Sequence, residues 1–217
     1  MSEELLRQRD YWNREITQFE AIYSHKKNFL STALDKIFRK DMYDRFVYTL
    51  NNAEPIVGRT VLGVGCGTGR YIMALLERGC RHATGIDISE QMIGHCRERA
   101  ASQGFAEKTE FIRTDLLDFT PGATFDVCIG IGLFDYISDP LPVLRKMHDC
   151  TGDRLIASFP RLWTWRAPVR KLRLAMRGCN VRFFTKKQIR DLLLAAGFNS
   201  ISLEKVGKLY CCTAGVR

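Results

Sequence analysis

The run Val61-Leu-Gly-Val-Gly-Cys-Gly-Thr-Gly-Arg70, or V-L-G-V-G-C-G-T-G-R, decides how this chain reads. Thr60 to Val64 is a short apolar run of strand type, and a helix is expected from Arg70 to Arg78, stopping near Gly79. Gly65, Gly67 and Gly69 therefore fall in a strand-to-helix turn. There the missing side chains let backbone approach a ligand, and the helix start offers N–H groups to a carboxylate or phosphate. A tight turn that holds no ligand is the competing reading. The spacing narrows the ligand class. A dinucleotide fingerprint needs a small residue where Arg70 stands, and no G-K-[ST] ends the run as a phosphate loop requires.

Outward from the turn, strands and helices alternate, which predicts an α/β fold with a Rossmann-like, doubly wound sheet of about seven strands. The second strand ends at Asp87, with Ser89 placed to cap the next helix, which carries Met92 and Ile93. Strands follow at Thr109 to Arg113, Phe125 to Ile131 and Arg154 to Phe159, with a helix around Val143 to His148. The fourth strand is apolar almost throughout, as expected of a central strand covered on both faces. Thr185 and Gln188 form a capping box, and Gly197 suits the end of that helix. Ser200 to Val206 and Lys208 to Ala214, joined at Gly207, read as an antiparallel C-terminal hairpin. Residues 1–54 read as a helical N-terminal extension, and Pro55, Val57 and Gly58 mark its junction with a domain over 55–217.

Two carboxylates follow the turn at telling positions. Asp87, in G-I-D-I-S, closes the second strand about twenty residues past the turn, where a carboxylate can accept from both hydroxyls of a ribose. Asp115, in R-T-D-L-L-D-F, lies just past the third strand. Each alone is equally a strand-end turn acid. Together with G-x-G-x-G they make the chain resemble class I S-adenosylmethionine-dependent methyltransferases, from Val61 to the C-terminal hairpin. The resemblance implies S-adenosyl-L-methionine as cofactor and S-adenosyl-L-homocysteine as product, bound around Gly65, Cys66, Gly67 and Gly69. It further implies Asp87 on the ribose, Asp115 on the adenine amino group, Ile88 and Leu116 beside the ring, and Ile131 along the methionine moiety. Tyr23, in F-E-A-I-Y-S, is the candidate to close over the cofactor, with a packed aromatic as the alternative. That F-x-x-I-Y-S start, with P-R-x-W-x-x-R-x-P-x-R-K from Pro160 to Lys171, looks like small bacterial methyltransferases and is distantly similar to magnesium-protoporphyrin O-methyltransferases. One departure stands out: the family carries Asp or Glu two residues before the first glycine, and here that residue is Gly63. An acid restored there is expected to tighten cofactor binding, and its loss leaves open a non-catalytic relative of the fold.

The acceptor side is read from two stretches. In G-L-F-D-Y-I-S-D-P, Asp135 and Tyr136 follow the fourth strand at the carboxyl side of the sheet, where either could orient or deprotonate an acceptor. The alternative packs Phe134 and Tyr136 and leaves Asp135 facing water. Of the histidines, His25 and His148 merit a test. The second stretch is an insertion over 160–184 that the resemblance makes a substrate lid. Between Arg154 and Arg190 stand eleven Lys or Arg and no Asp or Glu, against a net charge of +9 for the whole chain. Val169, Leu172 and Met176 share a helical face flanked by Arg170, Lys171, Arg173 and Arg177, with Trp163 and Trp165 just ahead. From Arg161 to Arg177 this suits an anionic or lipid-like small-molecule acceptor, or a membrane surface. A solvated helix over the pocket is the plain alternative. An RNA methyltransferase is a further one, although no nucleic-acid-binding module is recognisable.

Bulk composition agrees with a packed domain: 46% of residues are hydrophobic and 26% charged. No apolar run approaches the roughly 18 residues that span a bilayer, and the polar start M-S-E-E-L-L-R is unlike a secretory signal. A cytoplasmic location, with membrane association through the basic segment, is the expectation. Eight cysteines without a C-x-x-C pair favour reduced thiols over disulfides or zinc, and no metal is expected. Oligomeric state is not legible.

Overall fold

The computed structural model describes residues 32–162 and 182–216. Helix α1 (Thr32–Asn52) precedes β1 (Thr60–Val64), α2 (Arg70–Glu77), β2 (His82–Asp87), α3 (Glu90–Ser102) and β3 (Thr109–Arg113). Then come β4 (Phe125–Gly130), α4 (Pro140–Cys150), β5 (Thr151–Pro160), α5 (Lys186–Ala195), β6 (Asn199–Val206) and β7 (Leu209–Gly215). The seven strands form one sheet in the order β3-β2-β1-β4-β5-β7-β6. The first five run parallel, while β7 lies antiparallel between β5 and β6. This is the expected doubly wound sheet with its C-terminal hairpin. Chain order reverses between β1 and β4, so the switch crevice opens at their carboxyl ends.

Local signals explain most boundaries. The Ser89 side chain accepts from the Met92 N–H to start α3, and Thr185 with Gln188 makes both bonds of the capping box on α5. Two elements exceed their sequence reading. Helix α4 begins at Pro140, because Asp139 caps the Leu141 N–H and a proline at the first turn forfeits no helical bond. Strand β5 begins at Thr151 rather than Arg154, since Asp153 pairs with Arg59 and Arg154 and the chain stays extended through Gly152. Among the described residues no helix is long and apolar enough to cross a membrane.

Both sheet faces are buried. One carries Leu62, Val64, Cys128 and Phe159 under α4 and α5; the other carries Val61, Ile129 and Phe111 under α2, with its Ile72, and α3. On the second face Gly63 of β1 lies directly across from Gly85 of β2. A Cβ on Gly63 would sit 2.9 Å from Ile72 Cδ1 and 3.2 Å from its Cγ1. One on Gly85 would meet the same Cδ1 at 2.8 Å and the Phe111 ring at 2.7 Å. The paired glycines thus leave a bare floor that Ile72 and Phe111 fill. An acid at 63 would therefore have to displace the Ile72 side chain before it could reach a cofactor.

Candidate functional site at the switch between β1 and β4

The glycine turn leaves β1 and enters α2 with Gly65, Gly67 and Gly69 at φ 60°, 54° and 73°. Residues with a side chain rarely hold that left-handed conformation, so the backbone path itself demands glycine. Gly67 has the further property that a Cβ built on it meets nothing within 4 Å, so its backbone faces open space. The turn is pinned from several sides. The Cys66 N–H donates to Ile86 O at 3.0 Å and the Gly69 N–H to Cys66 O at 3.0 Å. From α3, the Cys96 thiol reaches Gly67 O at 3.0 Å and the Arg99 guanidinium reaches Thr68 O at 2.9 Å.

Asp87 is brought directly to this turn. Its Oδ2 accepts the Gly67 N–H at 3.0 Å, and its Oδ1 accepts the Ser89 N–H at 2.9 Å. Each oxygen keeps further acceptor capacity, the arrangement a vicinal diol needs. Burial raises the Asp87 carboxyl above the ordinary carboxylate range, against the opposing pull of the Ser89, Gly67 and Ile88 N–H groups. Ile88 is half-buried beside it.

Asp115 stands two residues past Arg113, the cross-strand partner of Asp87, and the Thr114 N–H donates to Asp87 O at 3.0 Å. Its Oδ1 accepts the Leu117 N–H at 2.7 Å, so part of its capacity is spent on its own turn. Among the described residues, no hydrogen bond or ion pair ties its carboxylate to the glycine turn. Leu116 is buried at 6% exposure within the first core cluster, which leaves only its edge for a ligand.

Across the crevice, β4 ends at Gly130 and the chain continues through Ile131, half-buried against the second core cluster. Gly132, at φ 78°, donates its N–H to the buried Ser158 Oγ at 2.9 Å, which fixes the loop from β5. Leu133 Cδ1 comes within 3.1 Å of a Cβ position on Gly65, so this loop and the glycine turn share one wall. Phe134 packs on Phe159 with ring centroids 4.4 Å apart. Asp135 is only 4% exposed, so the alternative that left it facing water does not hold. Tyr136 is half-buried, and its N–H donates to Leu133 O at 3.2 Å.

The two ends of the basic insertion meet beside Asp135. The Leu162 N–H donates to Phe184 O at 3.1 Å, the Phe184 N–H to Pro160 O at 2.8 Å, and the Arg182 N–H to Asp135 O at 3.1 Å. The Arg182 guanidinium also donates to Ser138 O. Tyr23, His25, Trp163, Trp165 and the run from Arg166 to Arg177 lie outside the described residues. His148 sits edge-on to Phe198 at 5.0 Å and crowds Gly197, a packing role away from the crevice.

Arg45, on α1, escaped the sequence reading. Its Nε donates to the Tyr71 hydroxyl at 3.1 Å, and its Nη1 lies 3.4 Å from a Cβ position on Gly132. A guanidinium therefore stands at the carboxyl end of β4. No spacing around residue 45 signals this, because the placement depends on how α1 docks against α2, where Phe46 and Tyr71 pack at 5.4 Å. Ser158 escaped too, as a lone hydroxyl in an apolar strand whose partner is distant in sequence.

Comparison with known proteins adds to this geometry. Residues 61–153 match a family described as a methyltransferase domain. The ubiquinone biosynthesis O-methyltransferase of Idiomarina loihiensis is 30% identical over 101 residues, which cover 46% of this chain and 41% of that protein. A tRNA U34 carboxymethyltransferase of Shewanella piezotolerans is 29% identical over 107 residues, covering 48% and 32% respectively. The chain thus spans less than half the length of these relatives. The crystal structure of magnesium protoporphyrin IX methyltransferase from Synechocystis PCC 6803 with bound SAH superposes with a TM-score of 0.81 at 19% identity, covering 99% of this chain and 100% of that one.

Proposed function

From the premise that residues 61–153 are a class I S-adenosylmethionine-dependent methyltransferase domain, we propose that the protein transfers a methyl group from S-adenosylmethionine to a small anionic or lipid-like acceptor. The observation that carries this reading is the Asp87 carboxylate, held between the Gly67 and Ser89 N–H groups at the mouth of the crevice. There it accepts from both ribose hydroxyls, while the open face of Gly67 lets the cofactor lie against backbone. The remaining oxygen capacity of Asp115 serves the adenine amino group. Arg45 beside Gly132 supplies a cation for the carboxylate at the methionine end.

The cofactor supplies a methyl on a sulfonium, an electrophile the protein has no need to create. The chain's part is alignment, which can contribute several kcal/mol when the acceptor atom is held in line. In this reading Asp135 and Tyr136 orient the acceptor or take its proton, which their loop, tied to Ser158 and Arg182, supports. The insertion over 160–184 acts as the lid. Its cationic surplus favours an anionic acceptor, and its tryptophans favour one carrying an apolar body or lying at a membrane surface.

Calorimetry with S-adenosylhomocysteine tests the cofactor half, and absence of binding sinks it. For the acceptor, the chain is incubated with methyl-labelled cofactor and a cell extract. Label in solvent-extractable small molecules supports the reading, and label confined to RNA rejects it in favour of a nucleic-acid acceptor. Arg45→Ala is expected to weaken S-adenosylhomocysteine binding tenfold to a hundredfold, for a loss of about 1.5–3 kcal/mol. It should leave 5′-methylthioadenosine, which lacks the carboxylate, unaffected. An equal loss for both ligands would place Arg45 in a packing role instead.

A pH dependence follows from Asp87. The ionised carboxylate is the form that accepts from a diol, and its pKa is raised. Cofactor affinity is therefore expected to decline as pH falls, starting above the range where an ordinary carboxylate titrates. Titration calorimetry from pH 8 downward checks this, and affinity constant to pH 4 would contradict it.

A further inference from the structure

Two thiols of different elements meet at the cofactor turn. Cys66 Sγ lies 3.9 Å from Cys96 Sγ, and the Cys96 thiol donates to Gly67 O at 3.0 Å. Cys66 is flanked by Gly65 and Gly67, both at positive φ. Among the described cysteines Cys66 alone is partly exposed; Cys80, Cys96, Cys128, Cys150, Cys211 and Cys212 are buried. The pair therefore joins a partly exposed residue of the glycine turn to a buried partner on α3.

The geometry points to Cys66 and Cys96 as a dithiol modification site, oxidised by low-molecular-weight disulfides to a cross-link that disables the glycine turn. Closing the bond brings the sulfurs from 3.9 Å to about 2.0 Å, which draws residue 66 toward α3. It also removes the thiol proton that Cys96 donates to Gly67 O. Gly67 is the residue whose N–H is held by Asp87, so the cross-link strikes the ribose-binding arrangement at its root. The inference rests on the cofactor reading above, because its consequence is read as lost cofactor affinity.

With oxidised glutathione the chemistry balances. The Cys66 thiolate attacks one glutathione sulfur, forming a mixed disulfide and releasing one glutathione thiolate. The Cys96 thiolate then attacks Cys66 Sγ, forming the internal disulfide and releasing the second. Two electrons pass from protein to glutathione, and the two thiol protons neutralise the two thiolates released. Hydrogen bonding with Cys96, followed by burial, pushes the Cys66 thiol well above its usual range, so thiolate is scarce near neutrality and oxidation quickens as pH rises.

The test equilibrates the full chain in glutathione buffers of graded potential, quenches by alkylation and digests with trypsin. Peptides 60–70 and 82–97, joined through Cys66 and Cys96, are the expected product. Oxidised protein should bind S-adenosylhomocysteine at least tenfold more weakly than reduced protein, with full recovery in dithiothreitol. Because binding favours the dithiol, saturating S-adenosylhomocysteine should move the midpoint potential positive by about 30 mV for each tenfold difference. Cys96→Ser should abolish the difference between oxidised and reduced samples, each compared with itself; if that variant misfolds, the midpoint shift on unaltered protein decides. Absence of the joined peptides, or their presence with unchanged affinity, overturns the proposal. Failure of reduced protein to bind the ligand at all counts against the cofactor reading instead, since the peptide linkage is scored without ligand.

Discussion

Asp87→Asn is expected to weaken S-adenosylmethionine binding by two to four orders of magnitude while leaving thermal stability intact. The carboxylate has four partners to serve: the Gly67 and Ser89 N–H groups seen at 3.0 Å and 2.9 Å, and the two hydroxyls proposed for the ribose. An amide has one acceptor atom, and its NH2 opposes a donor wherever it is placed. Losing two charge-assisted bonds costs roughly 3–6 kcal/mol, and each 1.4 kcal/mol is about tenfold. Stability is held level, because the backbone N–H that the amide leaves without an acceptor is offset by a second effect. An acid whose folded pKa is raised is disfavoured as a charge in the fold, a penalty absent below its unfolded pKa and fully present above the folded one. A permanently neutral residue removes that penalty. Calorimetry paired with thermal melts at pH 7.5 checks both halves; a large fall in Tm together with modest loss of affinity would mean that Asp87 serves the fold rather than the ligand.

Gly63→Asp is expected to destabilise the chain by about 3 kcal/mol, through overpacking and the burial of a carboxylate together. At this length that lowers Tm by about 6–12 °C. The new Cβ would stand 2.9 Å from Ile72 Cδ1 and 3.6 Å from Cys66 Cβ, inside a cluster with Ile129 and Phe111. Ile72→Ala opens the space, at a cost of its own. The double variant should then be more stable than the sum of the single losses by upwards of about 1 kcal/mol, as neighbours sharing one cavity do. Denaturant unfolding of the four proteins gives the coupling. Additivity would show that the acid escapes the cluster and that Ile72 does not occupy its place.

The fold was legible because its signals are local. Thr60–Val64 and Thr109–Arg113 are bounded by sequence breaks where the strands end, and Ser89, Thr185 and Gly197 mark helix termini through their own side chains or their lack of one. The turn and Asp87 were legible for the same reason, since a short crossover fixes their spacing. What depends on docking was not. Arg45 reaches the end of β4 only because α1 lies against α2, and Ser158 meets Gly132 across neighbouring strands. The meaning of Gly63 changed most. In one dimension it is a missing acid; in three it is half of a glycine pair shaped around Ile72. Asp135 shows the same limit, because a polar residue between two aromatics reads as solvent-facing until the loop is seen folded under Arg182.

The strand β7, seated between β5 and β6 yet formed from residues 209–215, bears on how the chain is made. During synthesis the parallel half of the sheet is complete once Pro160 has emerged, but the flank of β5 that β7 will cover has then no neighbour to bond. A ribosome moving at about 5–20 residues per second needs several seconds to deliver the stretch that seals it. Through that interval the nascent protein presents Leu155, Ala157 and Phe159 beside an open row of amides, a template for pairing with another copy. Synonymous codons that slow translation over 161–209 would lengthen this exposure and increase the aggregated fraction without altering a single residue.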